Sequence, residues 1–232
     1  MKLYNSIGPN PRVVKMFMQE KGIELPMVEV DLMQGENRKE PYLARNPAGQ
    51  LPALELDDGS YLAEITAICE YLDEKYPGGS LIGTTPEERA ETRMWTRRVD
   101  LNVCEPLANG FRFSEGLPLF KDRMRCLPEA ADGLKAIAQD KLAWFDKLMA
   151  GKDYLAGRRM TLADILLFGF LDFGAAVGQP LNPEFKNLGA WFERMKGRAS
   201  AAPTAQGHSR VPALGLLLYP SDAADEDDDV VY

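Results

Sequence analysis

Strand and helix signals alternate over residues 1–80 and then the strand signals stop. Lys2 to Tyr4 reads as a short strand and Arg12 to Lys21 as a helix, with Val13, Met16 and Phe17 on one stripe and Gly22 to stop it. Met27 to Leu32 alternates apolar and charged positions, as a strand does, and Asn37 to Arg45 is weakly helical. Leu51 to Leu56 and Tyr61 to Ala63 flank Asp58-Gly59, a hairpin turn. Glu64 to Tyr76 places Ile65, Ile68, Cys69 and Leu72 at helical spacing before Pro77-Gly78-Gly79. The order βαβαββα predicts an α/β, thioredoxin-like domain over 1–80 with helices on both faces of its sheet.

From Thr84 onward the pattern is helical, which predicts an all-α bundle domain over 85–202. Thr85-Pro86-Glu87-Glu88 supplies a cap, a proline at the first position and acids in the first turn. That helix is expected to run to about Phe113, bent at Pro106. Pro128 to Met149 is a second amphipathic stretch with Leu134, Ile137, Leu142 and Phe145 inward, and Leu188 to Lys196 a last one. Met160 to Ile165 is a capping box: Thr161 caps, Asp164 reaches back, and Met160 and Ile165 staple. The helix it opens, Leu162 to Phe173, is almost wholly apolar and reads as a buried spine. Residues 203–232 read as an acidic tail, disordered or an artificial extension, with docking on a partner or on the body itself as the alternative; Thr204 to Tyr232 holds six acids and one Arg.

Several function classes fall away. The net charge of −8 argues against a nucleic-acid binder. No apolar run is long enough to span a membrane, and MKLYNSIGPNP has no signal-peptide core. Three cysteines (Cys69, Cys104, Cys126) without CxxC spacing suggest neither zinc nor disulfides, and point to a reduced, cytoplasmic protein without a metal. The only histidine, His208, lies in the tail, so a Ser-His-Asp or Cys-His hydrolase lacks its base unless the tail folds back.

Two places have ligand-holding chemistry. The run Asn46 to Tyr71 puts a candidate cis Leu51-Pro52 bond before a strand, then a helix opening at Glu64, whose unpaired N–H groups favour a carboxylate. Together these suit a small extended peptide carrying a carboxylate. The turn after the first strand, Asn5 to Arg12, holds no Cys, which excludes a dithiol oxidoreductase. It could still stabilise a thiolate that arrives with a ligand, using the Asn10 amide, the Ser6 hydroxyl and the nearby Arg12 charge.

NPAGQLPALELDDGS, the AEITAICEYL helix opening and MTLADILLF resemble the cytosolic glutathione transferases of bacteria over residues 1 to about 202. The resemblance implies an N-terminal domain that binds glutathione as co-substrate, a helical domain that lines a pocket for an apolar electrophile, a homodimer and a role in detoxification. It implies glutathione contacts from Gln50, Leu51, Pro52, Glu64 and Ile65. Many members have Glu-Ser where this chain has Glu64-Ile65, so the γ-glutamyl carboxylate falls to backbone N–H groups or Thr66. The Pro9-Asn10 pair resembles the Nu-like members, which ranks the candidates at the sulfur as Asn10, then Ser6, then Tyr4. Trp95, Arg98, Asn102, Phe111 and Phe113 are candidates for the second pocket, and Asp100 for a reach to the partner subunit's glutathione. CEYLDEKYP and RAETRMWTRRVD also resemble the β-etherases, which use glutathione to cleave aryl ethers. Disulfide reduction, and a non-catalytic interaction module of the same fold, are the remaining alternatives.

Overall fold

The computed structural model describes residues 1–205. The acidic tail and His208 therefore lie outside the described residues. Four strands, β1 (Lys2–Asn5), β2 (Met27–Glu29), β3 (Ala53–Glu55) and β4 (Tyr61–Leu62), form one sheet in the order β2-β1-β3-β4. β1 is parallel to β2, with Tyr4 opposite Val28, and antiparallel to β3, with Tyr4 opposite Ala53. β3 and β4 are the expected hairpin.

Side-chain alternation gives the sheet two buried faces. Leu3 and Leu54 point into the main core against Val13, Phe17, Ile68 and Leu72 of α1 (Pro9–Glu20) and α3 (Ile65–Lys75). Tyr4 and Ala53 point the other way, onto Val30, Leu51 and Tyr42 of the short α2 (Tyr42–Arg45). Helices thus cover both faces, as the element order implied. β2 is shorter than its alternation suggested. It ends at Glu29 because Asp31 turns the chain, its carboxylate accepting from the N–H groups of Met33 and Gln34, although Val30 is still buried. The weakly helical stretch before Arg45 is two pieces, a 3₁₀ turn at Glu36–Arg38 and α2, separated by Pro41.

The second half is helical throughout: α4 (Pro86–Val99), α5 (Glu105–Arg112), α6 (Leu117–Phe120), α7 (Ala131–Leu148), α8 (Leu162–Ala176), α9 (Lys186–Lys196) and α10 (Ala201–Thr204). α4 and α5 are one rod, interrupted by a π-helical turn at Asp100–Cys104, where the Glu105 N–H donates to the Asp100 carbonyl. Pro106 has no N–H to offer the Asn102 carbonyl four residues back, and the widened turn sits where that bond is missing. In α7 the inward set differs from the expected one. Ala138, Leu142 and Phe145 are buried, whereas Ile137 is 46% exposed. Ala138, not Ile137, shares the face of Leu142 and Phe145, being four and seven residues away.

α8 is the spine. It packs on α1 and α4, and all but three of its residues are buried. Gly169 lets α1 come close, since a Cβ there would meet Val13 Cγ2 at 2.9 Å. Gly169→Ala is expected to cost about 1.5 kcal/mol by overpacking. The shift in the urea midpoint measures it. Arg12 locks the same seam. Its guanidinium pairs with Asp172 of α8, donates to the Ala201 carbonyl at 3.3 Å and lies 5.0 Å from the Phe168 ring centroid.

Candidate active-site cavity

β1 ends in a turn, and Gly8 opens α1 with φ 119°. The first three helical positions are Pro9, Asn10 and Pro11. A helix normally presents several unpaired N–H groups at this end, but prolines have none. Only Asn10 offers a backbone N–H among the three, and it has no acceptor within the described chain. The Asn10 side-chain amide is likewise uncommitted. Two donors and the positive end of α1 therefore converge on one residue.

Opposite this helix end lies the segment 46–52. Tyr42 Oη donates to the Gln50 carbonyl at 2.5 Å and Asn46 Nδ2 donates to the same oxygen at 2.9 Å. Asn37 Nδ2 donates to the Gly49 carbonyl at 2.6 Å. These side chains fix the backbone up to Gln50 but leave the N–H and C=O of Leu51 without partners among the described residues. The Leu51–Pro52 peptide is cis. Burial pushes the Tyr42 hydroxyl up to about 12, so it stays a donor.

These pieces enclose a cavity of about 350 Å³ at the seam of the two domains. One wall is Ile7 to Pro11, Asn37, Arg38 and Ala48 to Leu51. The other is Ala108, Phe111 and Arg112 of α5, Leu119 and Phe120 of α6, Arg123 and Met124 after it, and Phe170 and Phe173 of α8. Arg123 straddles the seam, donating to the Leu32 carbonyl at 3.0 Å. The cavity lining has neither a thiol nor an imidazole among the described residues, and no acid. Cys69 and Cys104 are buried elsewhere, with their thiols pushed well up by burial.

Asn10, Gln50, Leu51 and Phe111 thus meet around one space. Ser6 and Tyr4 do not line it. The Ser6 hydroxyl donates to the Val30 carbonyl at 2.7 Å, and Tyr4 Oη donates to Glu55 Oε2 at 2.9 Å. Burial raises the Tyr4 phenol, and the Glu55 carboxylate adds to the effect. Arg12 is committed to Asp172. Trp95, Arg98, Asn102 and Phe113 lie outside the lining, and Trp95 is a core residue with the Arg98 guanidinium 4.9 Å from its ring centroid. Asn102 Nδ2 donates to the Arg98 carbonyl.

Pro52, Glu64, Ile65 and Thr66 lie outside the lining as well. Glu64 is the residue before α3 and the one non-glycine among the described residues with positive φ, 67°. Backbone in that region is strained for an L-residue. Across from it, Asp100 has its carboxyl raised by burial first and by the fields of Glu105 and Glu64. Asp100 is thus close enough to Glu64, at the start of α3, for the two carboxylates to feel one another.

Arg38, Arg112 and Arg123, and the α6 wall, escaped the sequence reading. α6 is four residues long, and the loops around it show no period. The signal available was a run of basic residues, Lys121, Arg123 and Arg125, beside apolar ones.

Residues 7–75 match the family described as glutathione S-transferase, N-terminal domain, and residues 126–199 match glutathione S-transferase, C-terminal domain. Glutathione S-transferase 2 of Saccharomyces cerevisiae is 33% identical over 199 residues, which are 83% of this chain and 84% of that protein. The chain belongs to the glutathione S-transferase family. The protein LigF of Sphingobium is 30% identical, over 85% of this chain and 90% of that one. Among solved structures, a glutathione S-transferase domain-containing protein of Marinobacter aquaeolei superposes with TM-score 0.82 at 34% identity, over 87% of this chain and all of the other. Yeast Gtt2 gives 0.82 at 31%, over 88% of this chain and all of the other. Among the described residues of this family member, no helix is long and apolar enough to cross a membrane.

Proposed function

We propose that this chain is a glutathione transferase that activates the glutathione thiol at Asn10 and directs it onto an apolar electrophile. The observation that carries the reading is the pair of uncommitted donors on Asn10, at a cavity walled by both domains. The cysteinyl backbone of glutathione pairs with the free N–H and C=O of Leu51, as a short strand does. The γ-glutamyl end lies at the α3 N-terminus, where Glu64 and Asp100 attract its ammonium and the first N–H groups of α3 its carboxylate. Gln50 and Arg38 attend the glycyl end.

The Asn10 donors and the helix end favour the thiolate over the thiol, lowering the sulfur's pKa from about 8.5. The thiolate then attacks an electrophile held among Phe111, Phe120, Phe170 and Phe173. The carbon–sulfur bond forms as the leaving group departs with its electron pair, and no general base is needed. Holding both reactants together supplies several kcal/mol of the barrier. Isothermal calorimetry with glutathione, followed by turnover of a nitro-activated aryl chloride, tests the reading. Micromolar to low-millimolar binding and a chromophoric conjugate are expected; no heat and no conjugate refute it.

A second reading, aryl-ether cleavage by the same thiolate, is favoured by the likeness to LigF. The crystal structure of the β-etherase LigF superposes with TM-score 0.75 at 28% identity, over 88% of this chain and 97% of the other. Release of a phenol from a β-aryl ether in the presence of glutathione decides between the two.

A further inference from the structure

The wall given by the helical domain carries positive charge that the chain itself leaves unanswered. Arg112 sits at the end of α5, and its Nη1 donates only to the neutral Asn109 Oδ1, at 2.9 Å. Arg123 engages one N–H of Nη1 and one of Nη2 on the carbonyls of Leu32 and Met33, which leaves three of its five donors uncommitted. Neither forms an ion pair with any described residue, and the lining of the cavity they share includes no Asp or Glu. Elsewhere in the chain arginines such as Arg93 and Arg198 are answered by carboxylates, Glu70 and Glu20. Burial depresses the guanidinium of Arg112, with the acid Glu105 too distant to pair, and likewise that of Arg123, which also feels Arg38.

A half-buried cation without a counter-ion is costly unless something anionic visits it. Glutathione does not answer both arginines on the reading given above. Its γ-glutamyl end lies at α3 and its glycyl end by Arg38, on the opposite wall. Around Arg112 stand Phe111, Phe120 and Met124, with the Phe120 ring centroid 5.8 Å from the guanidinium. The groups placed side by side are thus an aromatic slot and a planar, bidentate anion receptor.

We propose that the second substrate is an aromatic or otherwise apolar electrophile that carries a carboxylate, and that Arg112, assisted by Arg123, binds that carboxylate. The proposal rests on the transferase reading and adds the chemical class of its electrophile. The ring lies among the phenylalanines and the carboxylate pairs with Arg112. The reacting carbon then faces the sulfur at Asn10. In the transfer the thiolate forms a carbon–sulfur bond and the leaving group takes the electron pair, while the carboxylate is unchanged.

The test uses two isosteric aryl chlorides with the full-length protein and glutathione: a chloronitrobenzoate with its chloride para to the carboxylate, and the matching neutral benzamide. The intact enzyme is expected to prefer the benzoate in kcat/KM. Arg112→Met, which keeps the stem but not the charge, is expected to lower the benzoate-to-benzamide ratio about tenfold or more, chiefly through the benzoate KM. Arg112→Lys restores part of the ratio, whereas a merely structural role would give no such rescue. A ratio at or below one in the intact enzyme overturns the proposal. So does a ratio that Arg112→Met leaves in place, or a variant whose main change is a higher KM for glutathione. If neither chloride is turned over, the transferase reading fails on its own. Calorimetry with benzoate alone then judges the arginine site: binding that is lost in Arg112→Met keeps it, and no binding removes it.

Discussion

Replacing Asn10 with Ala lowers kcat/KM for an activated aryl chloride by about 10–100-fold near pH 6.5, the range expected for loss of one donor at a developing or resident anion. The size follows from the local helix chemistry. In most helix starts, neighbouring N–H groups would take over part of the lost stabilisation. Here Pro9 and Pro11 have none, so the Asn10 backbone N–H is left alone. The sign of the pH dependence follows as well. Removing a donor raises the pKa of the bound thiol back towards about 8.5. The deficit is therefore largest below neutrality and narrows as the pH passes the thiol's ordinary value, where the variant's glutathione is ionised without help. Ultraviolet absorbance of the bound thiolate, titrated against pH, reads the shift directly. An unchanged midpoint in Asn10→Ala would show that the sulfur lies elsewhere. Ser6 is a poor substitute, because its hydroxyl is spent on the Val30 carbonyl.

Much of the fold was readable before the structure because periodic elements bury periodic stripes. The hairpin at Asp58-Gly59, the start of α4 at Pro86 and the capped α8 all carry local chemistry that dictates their positions. What failed locally failed for a physical reason. α7 has apolar residues at both Ile137 and Ala138, and composition alone favours the larger as the buried one; the small side chain is the one that fits against the neighbouring helices. The site divides in the same way. Asn10, Gln50 and Leu51 sit on the N-terminal domain's turns, where sequence motifs and geometry coincide. On the helical side Phe111 alone of the five residues expected from α4 and α5 lines the cavity. A helix face shows which residues share a stripe, not which stripe meets a partner element. Here α8 and α7 take the Trp95 side, and the cavity receives the end of α5 and the turn after α6.

Asp164 tests the frame that holds these walls together. Its carboxylate is fully buried at the start of α8 and accepts two bonds on each oxygen. Oδ1 takes the Leu155 N–H at 2.9 Å and Trp191 Nε1 at 3.0 Å. Oδ2 takes the Thr161 N–H at 2.9 Å and the Thr161 hydroxyl at 3.1 Å. Burial pushes this carboxyl up, and the four donors pull it back. The residue is thus more than a helix cap. It ties α8 to α9 through Trp191 and to the loop before α8 through Leu155. Asp164→Ala strips the acceptor from three buried N–H groups, each costing about 1–3 kcal/mol when unmet. With partial rescue by water in the vacated space, the loss is expected to be about 4 kcal/mol, or on the order of 10 °C in Tm. Asp164→Asn should be nearly as damaging. An amide has one acceptor oxygen, so its nitrogen must point at either the Leu155–Trp191 pair or the Thr161 N–H, donor against donor. Thermal melts and urea titrations of both variants decide it. A loss below about 1 kcal/mol in either would mean that the bundle does not depend on this buried carboxylate. Because α8 also presents Phe170 and Phe173 to the cavity, a destabilised α8 start is expected to raise the KM for the electrophile before it affects glutathione.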